Sequence, residues 1–132
     1  MADKTTYPEY SKNYPLLVKN LMKRPLFLCP DDEAMVYRND AGEYFRFTWR
    51  QWAERTCRLA RALKALEVKE GDRIATMALN HHRHMEIIYG TIGIGAVSHP
   101  VNIRLSFDHM AFTITHAEEH IVFFDDLLLP LV

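Results

Sequence analysis

Between residues 34 and 124 the spacing of apolar positions changes several times, and each change marks an element. Ala34-Met35-Val36-Tyr37-Arg38 and Glu43-Tyr44-Phe45-Arg46-Phe47 are two β-rich runs, and the turn-forming Asn39-Asp40-Ala41-Gly42 between them predicts a β-hairpin. Thr48 followed three residues later by Gln51 is a capping-box pattern, so a helix is expected to start there. Along it Trp52, Thr56, Leu59, Ala60, Leu63 and Leu66 recur at helical spacing and are assigned to the core, while Arg55, Arg58, Arg61 and Lys64 fall on other faces. Lys69-Glu70-Gly71-Asp72 interrupts the pattern, and Arg73 to Leu79 reads as a strand. Asn80 is placed to cap a second helix that turns Met85, Ile88, Tyr89 and Ile92 inward and closes at Gly93 and Gly95. A second strand follows at Ala96 to Val101, then a third helix capped by Ser106 with Phe107, Met110, Ala111 and Ile114 on one side. His120 to Phe124 is a third strand.

Strands separated by helical crossovers run parallel when they are neighbours. The predicted class is therefore α/β: an amino-terminal arm and β-hairpin, then helix-strand units forming a partial parallel sheet. Residues 1–33 carry Pro8, Pro15, Pro25 and Pro30 and read as an arm with one short helix around Leu16 to Met22. Residues 34–132 read as an incomplete domain, because a small parallel sheet has open edges and the sequence ends on the apolar Leu128-Leu129-Pro130-Leu131-Val132.

Composition narrows the functional classes. The chain has 132 residues, 48% hydrophobic and 25% charged, which suits one packed globular domain. Sixteen basic against seventeen acidic residues give a formal charge of -1, and no long run of one sign would track a phosphate backbone or an anionic membrane, so no nucleic-acid partner is expected. Met1 to Tyr10 is polar and contains Pro8, unlike a signal or transit peptide, which makes the cytoplasm the expected location. Leu127 to Val132 is far too short for a membrane span. Cys29 and Cys57 lack metal-ligand spacing and are expected as reduced thiols.

Several residues invite chemistry. His81, His82 and His84 cluster, and His116 and His120 lie four apart, but neither set completes a metal-binding helix face; surface or capping histidines are expected. Gly90, Gly93 and Gly95 lie at a helix end, not at the strand-to-helix turn of a dinucleotide site, and are expected to serve tight helix-to-strand packing. Trp52 is assigned to the core and Trp49 to a partly exposed place beside it, while Arg55, Arg58 and Arg61 are read as a solvated helix face.

Phe47-Thr48-Trp49-Arg50-Gln51-Trp52 resembles the motif that opens the first long helix of adenylate-forming enzymes. At the family's usual distance comes Val68-Lys69-Glu70-Gly71-Asp72-Arg73-Ile74-Ala75, similar to its "Val-Lys-Pro-Gly-Asp-Arg-Val-Ala". Asn80-His81-His82-Arg83-His84-Met85-Glu86, Gly93-Ile94-Gly95-Ala96-Val97, Asn102-Ile103-Arg104-Leu105-Ser106, His116-Ala117-Glu118 and Phe123-Phe124-Asp125 follow in the order found in medium- and long-chain fatty-acyl-CoA ligases. The resemblance runs from about Ala34 to Val132 and implies an opening part of the AMP-binding large domain. Glu67 stands where the family has Gly at a left-handed position after a helix, and Ile103 replaces a common Pro.

Such ligases join a carboxylic acid to ATP with Mg, then pass the acyl group to CoA. The resemblance therefore implies fatty acid, ATP and CoA as ligands of the full-length enzyme. In the family a Ser/Thr/Gly-rich loop ending in Lys holds the phosphates. This chain has five glycines, Ser11, Ser98 and Ser106 as its serines, and no lysine after Lys69. No residue is therefore assigned a catalytic, cofactor-binding or metal role, and the chain is expected to bind no cofactor and to be inactive alone. The alternative expectation is a non-catalytic interaction or oligomerisation module that keeps the ligase fold, with a protein partner or second copy covering the open sheet edge.

Overall fold

The computed structural model describes residues 17–39 and 41–131. A 3-10 turn at Val18–Met22 leads into α1 (Lys23–Leu28), followed by β1 (Glu33–Arg38), β2 (Tyr44–Thr48), α2 (Trp49–Ala65), β3 (Arg73–Met77), α3 (His82–Gly93), β4 (Val97–Pro100), α4 (Phe107–His116) and β5 (Ile121–Phe124). The anticipated hairpin is present: β1 and β2 pair antiparallel, with Tyr37 opposite Phe45. The other three strands form a parallel sheet in the order β4-β3-β5.

β3 is central, and its side chains alternate between two apolar layers. Ile74 joins Leu63, Val68 and Ala96 on the side covered by α2 and α3. Ala75 and Met77 join Val101, Met110 and Leu128 on the side covered by α4. Ile74 and Ala75 are 0% exposed and Met77 1%, so the strand is enclosed on both faces.

The capping box at Thr48 forms in full: its hydroxyl accepts from the Gln51 N–H at 3.2 Å, and the Gln51 side chain accepts from the Thr48 N–H at 3.0 Å. Other expectations need correction. Leu66 is 67% exposed, because α2 stops at Ala65 and the chain leaves helical periodicity one residue before that leucine's expected inward turn. Val68 takes the core place instead. The second helix is capped by His81, not Asn80, and its buried residues are His82, Glu86, Gly90 and Thr91, while Met85 is 37% exposed. Its inner face meets a polar neighbour on α2, so the inward positions are not the most apolar ones. On α4, Met110 is buried but Phe107 and Ala111 are exposed, and Ser106 occupies the capping position without a side-chain bond. Leu16 lies outside the described residues; within them the arm continues past Met22 into α1, which tolerates Pro25 because a first-turn N–H has no helical acceptor to lose. No described helix is long and apolar enough to cross a membrane.

Three helices end by one device. After α2, the Glu67 N–H donates to the Lys64 carbonyl and the Val68 N–H reaches back to Leu63; after α3, Gly95 and Ala96 do the same to Ile92 and Thr91; after α4, Glu118 and Glu119 repeat it to Thr115 and Ile114. The pivotal residue has positive φ each time: 63° at Glu67, 86° at Gly95 and 50° at Glu118. The motif thus forms with or without glycine, but a side chain in left-handed geometry costs about 1 kcal/mol. Glu67→Gly is expected to raise unfolding stability by about 1 kcal/mol at unchanged m-value in urea, whereas Glu67→Val should lower it.

Candidate functional site

The residues that gather chemistry sit where β3 and β5 end. The chain passes from β3 to β4 on one side and returns to β5 on the other, so the carboxyl ends of β3 and β5 flank the reversal in strand order, the usual ligand crevice of open α/β sheets. A cavity of about 580 Å³ opens there. Tyr37, Asn39 and Phe45 of the hairpin line one side, Leu79, His81 and Arg83 the loop into α3, and Asp125, Asp126 and Leu127 the exit from β5.

His81 and Asp125 hold this junction together. Asp125 receives the His81 Nε2–H at 2.8 Å and the Leu79 N–H at 2.8 Å, and its own N–H continues the ladder to Met77 at 3.1 Å. On its other side His81 caps α3: Nδ1 accepts from the His84 N–H at 3.2 Å. Because Nδ1 accepts, the ring proton of the neutral imidazole resides on Nε2. For Asp125, burial pushes the carboxyl up, but the Leu79 N–H, the His81 hydrogen bond and the neighbouring imidazoles together hold it below its ordinary value.

His82 faces inward between the hairpin and α3. It stacks on Phe47 at 4.5 Å and lies 5.3 Å from Tyr37, is 6% exposed, and its Nδ1 has no hydrogen-bond partner. Burial lowers its basicity, opposed by Glu86 and reinforced by Arg55, Arg83 and His81. His84 is also lowered, by burial first, against a bond to the Leu79 backbone; its Nε2 lies 3.0 Å from the Thr76 hydroxyl. Behind them Arg55 forks onto Glu86, with Nε–Oε1 at 2.6 Å and Nη2–Oε2 at 3.2 Å, while its guanidinium lies over Phe47 at 5.3 Å.

The sequence-based expectations divide accordingly. His81 is the capping histidine, but His82 is a core residue, not a surface one. Arg58 and Arg61 are exposed as expected, whereas Arg55 is not part of a solvated face: it partners a carboxylate that is 7% exposed. His116 stacks on Phe112 and His120 lies just ahead of β5, so neither approaches the site. No group of three or more His, Cys, Asp or Glu among the described residues could hold a metal ion. Trp52 is 3% exposed and meets Trp49 and Tyr89 edge-on. Gly90 packs helix against helix, not helix against strand: a Cβ there would lie 3.3 Å from the Leu59 side chain. Cys29 and Cys57 are free thiols. Asp125 and Tyr37 carried no mark in the sequence as partners of His81.

A model of the AMP-binding enzyme family matches residues 28–130. The chain belongs to the AMP-binding enzyme family. Among its relatives, the long-chain-fatty-acid–CoA ligase of Thermus thermophilus is 44% identical over 98 residues, covering 74% of this chain and 18% of that protein. The medium-chain-fatty-acid–CoA ligase of Ectopseudomonas oleovorans is 38% identical over 92 residues, covering 70% and 17%. A Mycobacterium tuberculosis fatty acyl CoA synthetase superposes with a TM-score of 0.77 at 24% identity over 87% of this chain and 22% of that one, which shows the shared fold. This AMP-binding chain spans about a fifth of the length of the curated relatives it matches.

The cavity residues do not fit a magnesium triphosphate. Arg83 is the one Lys or Arg among the described residues lining it, two carboxylates face it, and the His84 N–H at the start of α3 is already taken by His81. The arrangement is a clamp that fixes the hairpin, the β3–α3 loop and the β5 exit in one geometry.

Burying His82 and His84 in their neutral forms means that unfolding takes up protons once pH drops below the ordinary imidazole value of 6.5. Stability should therefore decline as pH falls from 6.5 toward their lower folded-state values, with Asp125 adding a loss only below 3.8. His82→Phe should make the urea midpoint fall less steeply than wild type between about pH 7 and about pH 5; an unchanged slope would remove His82 from this role.

Proposed function

We propose that this chain serves ATP-dependent fatty-acid–CoA ligation as a structural part of the ligase large domain, and that it does not activate a carboxylate by itself. The observation that carries the reading is the match of the AMP-binding family over residues 28–130, which falls on the β4-β3-β5 sheet and its helices and includes relatives named as long- and medium-chain fatty-acid–CoA ligases. In that reaction ATP and Mg support acyl-adenylate formation and CoA accepts the acyl group. Stabilising the departing pyrophosphate demands positioned donors and cations. This sequence has no lysine after Lys69, and the described cavity presents carboxylates. Its contribution is geometric: a rigid parallel sheet whose carboxyl edge is held by His81 and Asp125.

Two measurements test the reading. The purified chain with ATP, Mg, a fatty acid and CoA should release no pyrophosphate above a blank, and ATP-dependent thioester formation would overturn the claim of inactivity. Grafted in place of the matching 98-residue segment of the Thermus ligase, it should leave kcat/KM within about tenfold of the parent; a folded but inactive chimera would argue against interchangeable scaffolds.

A second reading, a non-catalytic interaction module, is favoured by β4 and β5 being outer strands with Val97 48% and Phe124 39% exposed. Light scattering distinguishes it: a monodisperse monomer at high concentration counts against self-association through those edges.

A further inference from the structure

The β1–β2 hairpin belongs to neither apolar layer. Among its described residues none is buried, and neither cluster around β3 includes one of them. Its base is tied by backbone bonds, from the Trp49 N–H to the Asp32 carbonyl at 3.2 Å and from the Arg50 N–H to the Pro30 carbonyl at 2.8 Å. Above that base it leans on α3 through rings. Phe47 stacks on His82, with centroids 4.5 Å apart and planes 29° apart, and Tyr37 meets His82 at 5.3 Å and His81 at 5.6 Å. Tyr37 and Phe45, themselves stacked at 6.5 Å, also belong to the hairpin's wall of the β3–β5 cavity. The contact that seats the hairpin therefore closes one side of the cavity, and one partner in it is a titratable ring.

We propose that the hairpin is a pH-sensitive flap over the β3–β5 cavity, latched by Phe47 and Tyr37 on neutral His82 and released when that imidazole takes up a proton. His82 is buried, and its Nδ1 has no hydrogen-bond partner. Both nitrogens of an imidazolium are donors, so protonation places a charge and an unanswered N–H in a buried position. The surrounding charges do not compensate. Glu86 favours the imidazolium, but both its oxygens are held by Arg55; Arg55, Arg83 and His81 oppose it, and the Asp125 carboxylate beside His81 is bonded to that ring. From the hairpin it is faced by the Tyr37 phenol and by the Phe47 ring, which already carries the Arg55 guanidinium at 5.3 Å. Burial, the largest influence, holds its basicity below the ordinary 6.5 while the hairpin is docked, so release grows as pH falls below 6.5 and vanishes above it. A lone two-stranded hairpin is marginal in water, and once its rings leave α3 its own ladder opens. The proposal is independent of the ligase reading, since it concerns the cavity's wall and invokes no ligand.

Amide hydrogen exchange on the full chain tests it. Between about pH 7.5 and about pH 5.5, after correction for intrinsic exchange rates, protection across residues 33–48 should fall at least about threefold more than protection across β3. The midpoint of that loss should coincide with the protonation of His82, followed by its imidazole NMR signals. His82→Phe keeps an apolar ring on Phe47 and should hold hairpin protection constant over this range. If that variant does not fold by circular dichroism, His82→Gln, which has no proton to gain, should likewise remove the pH dependence. Parallel loss across the hairpin and β3, constant hairpin protection in the wild type, a midpoint apart from the His82 titration, or a pH dependence that survives in either variant overturns the proposal.

Discussion

Enclosure of β3 is the constraint on which the rest of this molecule depends. A parallel strand has no hairpin partner to hold it, so its stability comes from covering both faces and satisfying both edges. Ile74, Ala75 and Met77 are nearly inaccessible, each face belongs to a different layer, and β4 and β5 supply the two ladders. Burying the Ile74 or Met77 side chain contributes about 2 kcal/mol each, and the loss of either layer would expose alternate residues of the strand together. The layers around the sheet are located by reference to it: α2 and α3 on one side, α4 on the other, and the cavity at its carboxyl end.

Polar struts then fix what apolar packing leaves adjustable. Arg55 and Glu86 set the rotation of α2 against α3 through a forked bond of defined geometry, where an apolar contact would tolerate sliding. An ion pair with one partner this buried is weak evidence of net stability, yet removing Arg55 would leave a carboxylate at 7% exposure without its counter-charge. His81 and Asp125 do the equivalent at the sheet edge. One imidazole ends a helix with its Nδ1 and anchors a strand exit with its Nε2, so the loop between β3 and α3 has little freedom. The two glutamates at left-handed helix ends show the converse: hydrogen bonds back to the helix, and Val68 packed with Leu63, are strong enough to impose a backbone conformation that neither residue favours.

Membership of the AMP-binding family and the absence of a phosphate cradle in the described cavity are compatible, because fold and chemistry occupy different parts of such a chain. A parallel sheet positions loops at its carboxyl edge whether or not those loops carry donors for phosphate. Here the loops instead present one guanidinium, a capped helix start and two carboxylates, which suits a mechanical role.

From the hairpin to β5 the sequence by itself determined the elements and their order. Alternation predicted the hairpin, 3.6-residue spacing and the Thr48–Gln51 box located α2, and helix-strand succession required a parallel sheet, because these signals act within a few residues of one another. The resemblance to adenylate-forming enzymes, not the local pattern, marked Glu67, which stands where the family has Gly. What the sequence did not determine was who meets whom across the fold. Asp125 lies 44 residues from His81 and Glu86 31 from Arg55, and at such separations no spacing rule links a charge to its partner. Tertiary structure alone decided those pairings, because burial and proximity arise only when distant segments share a core.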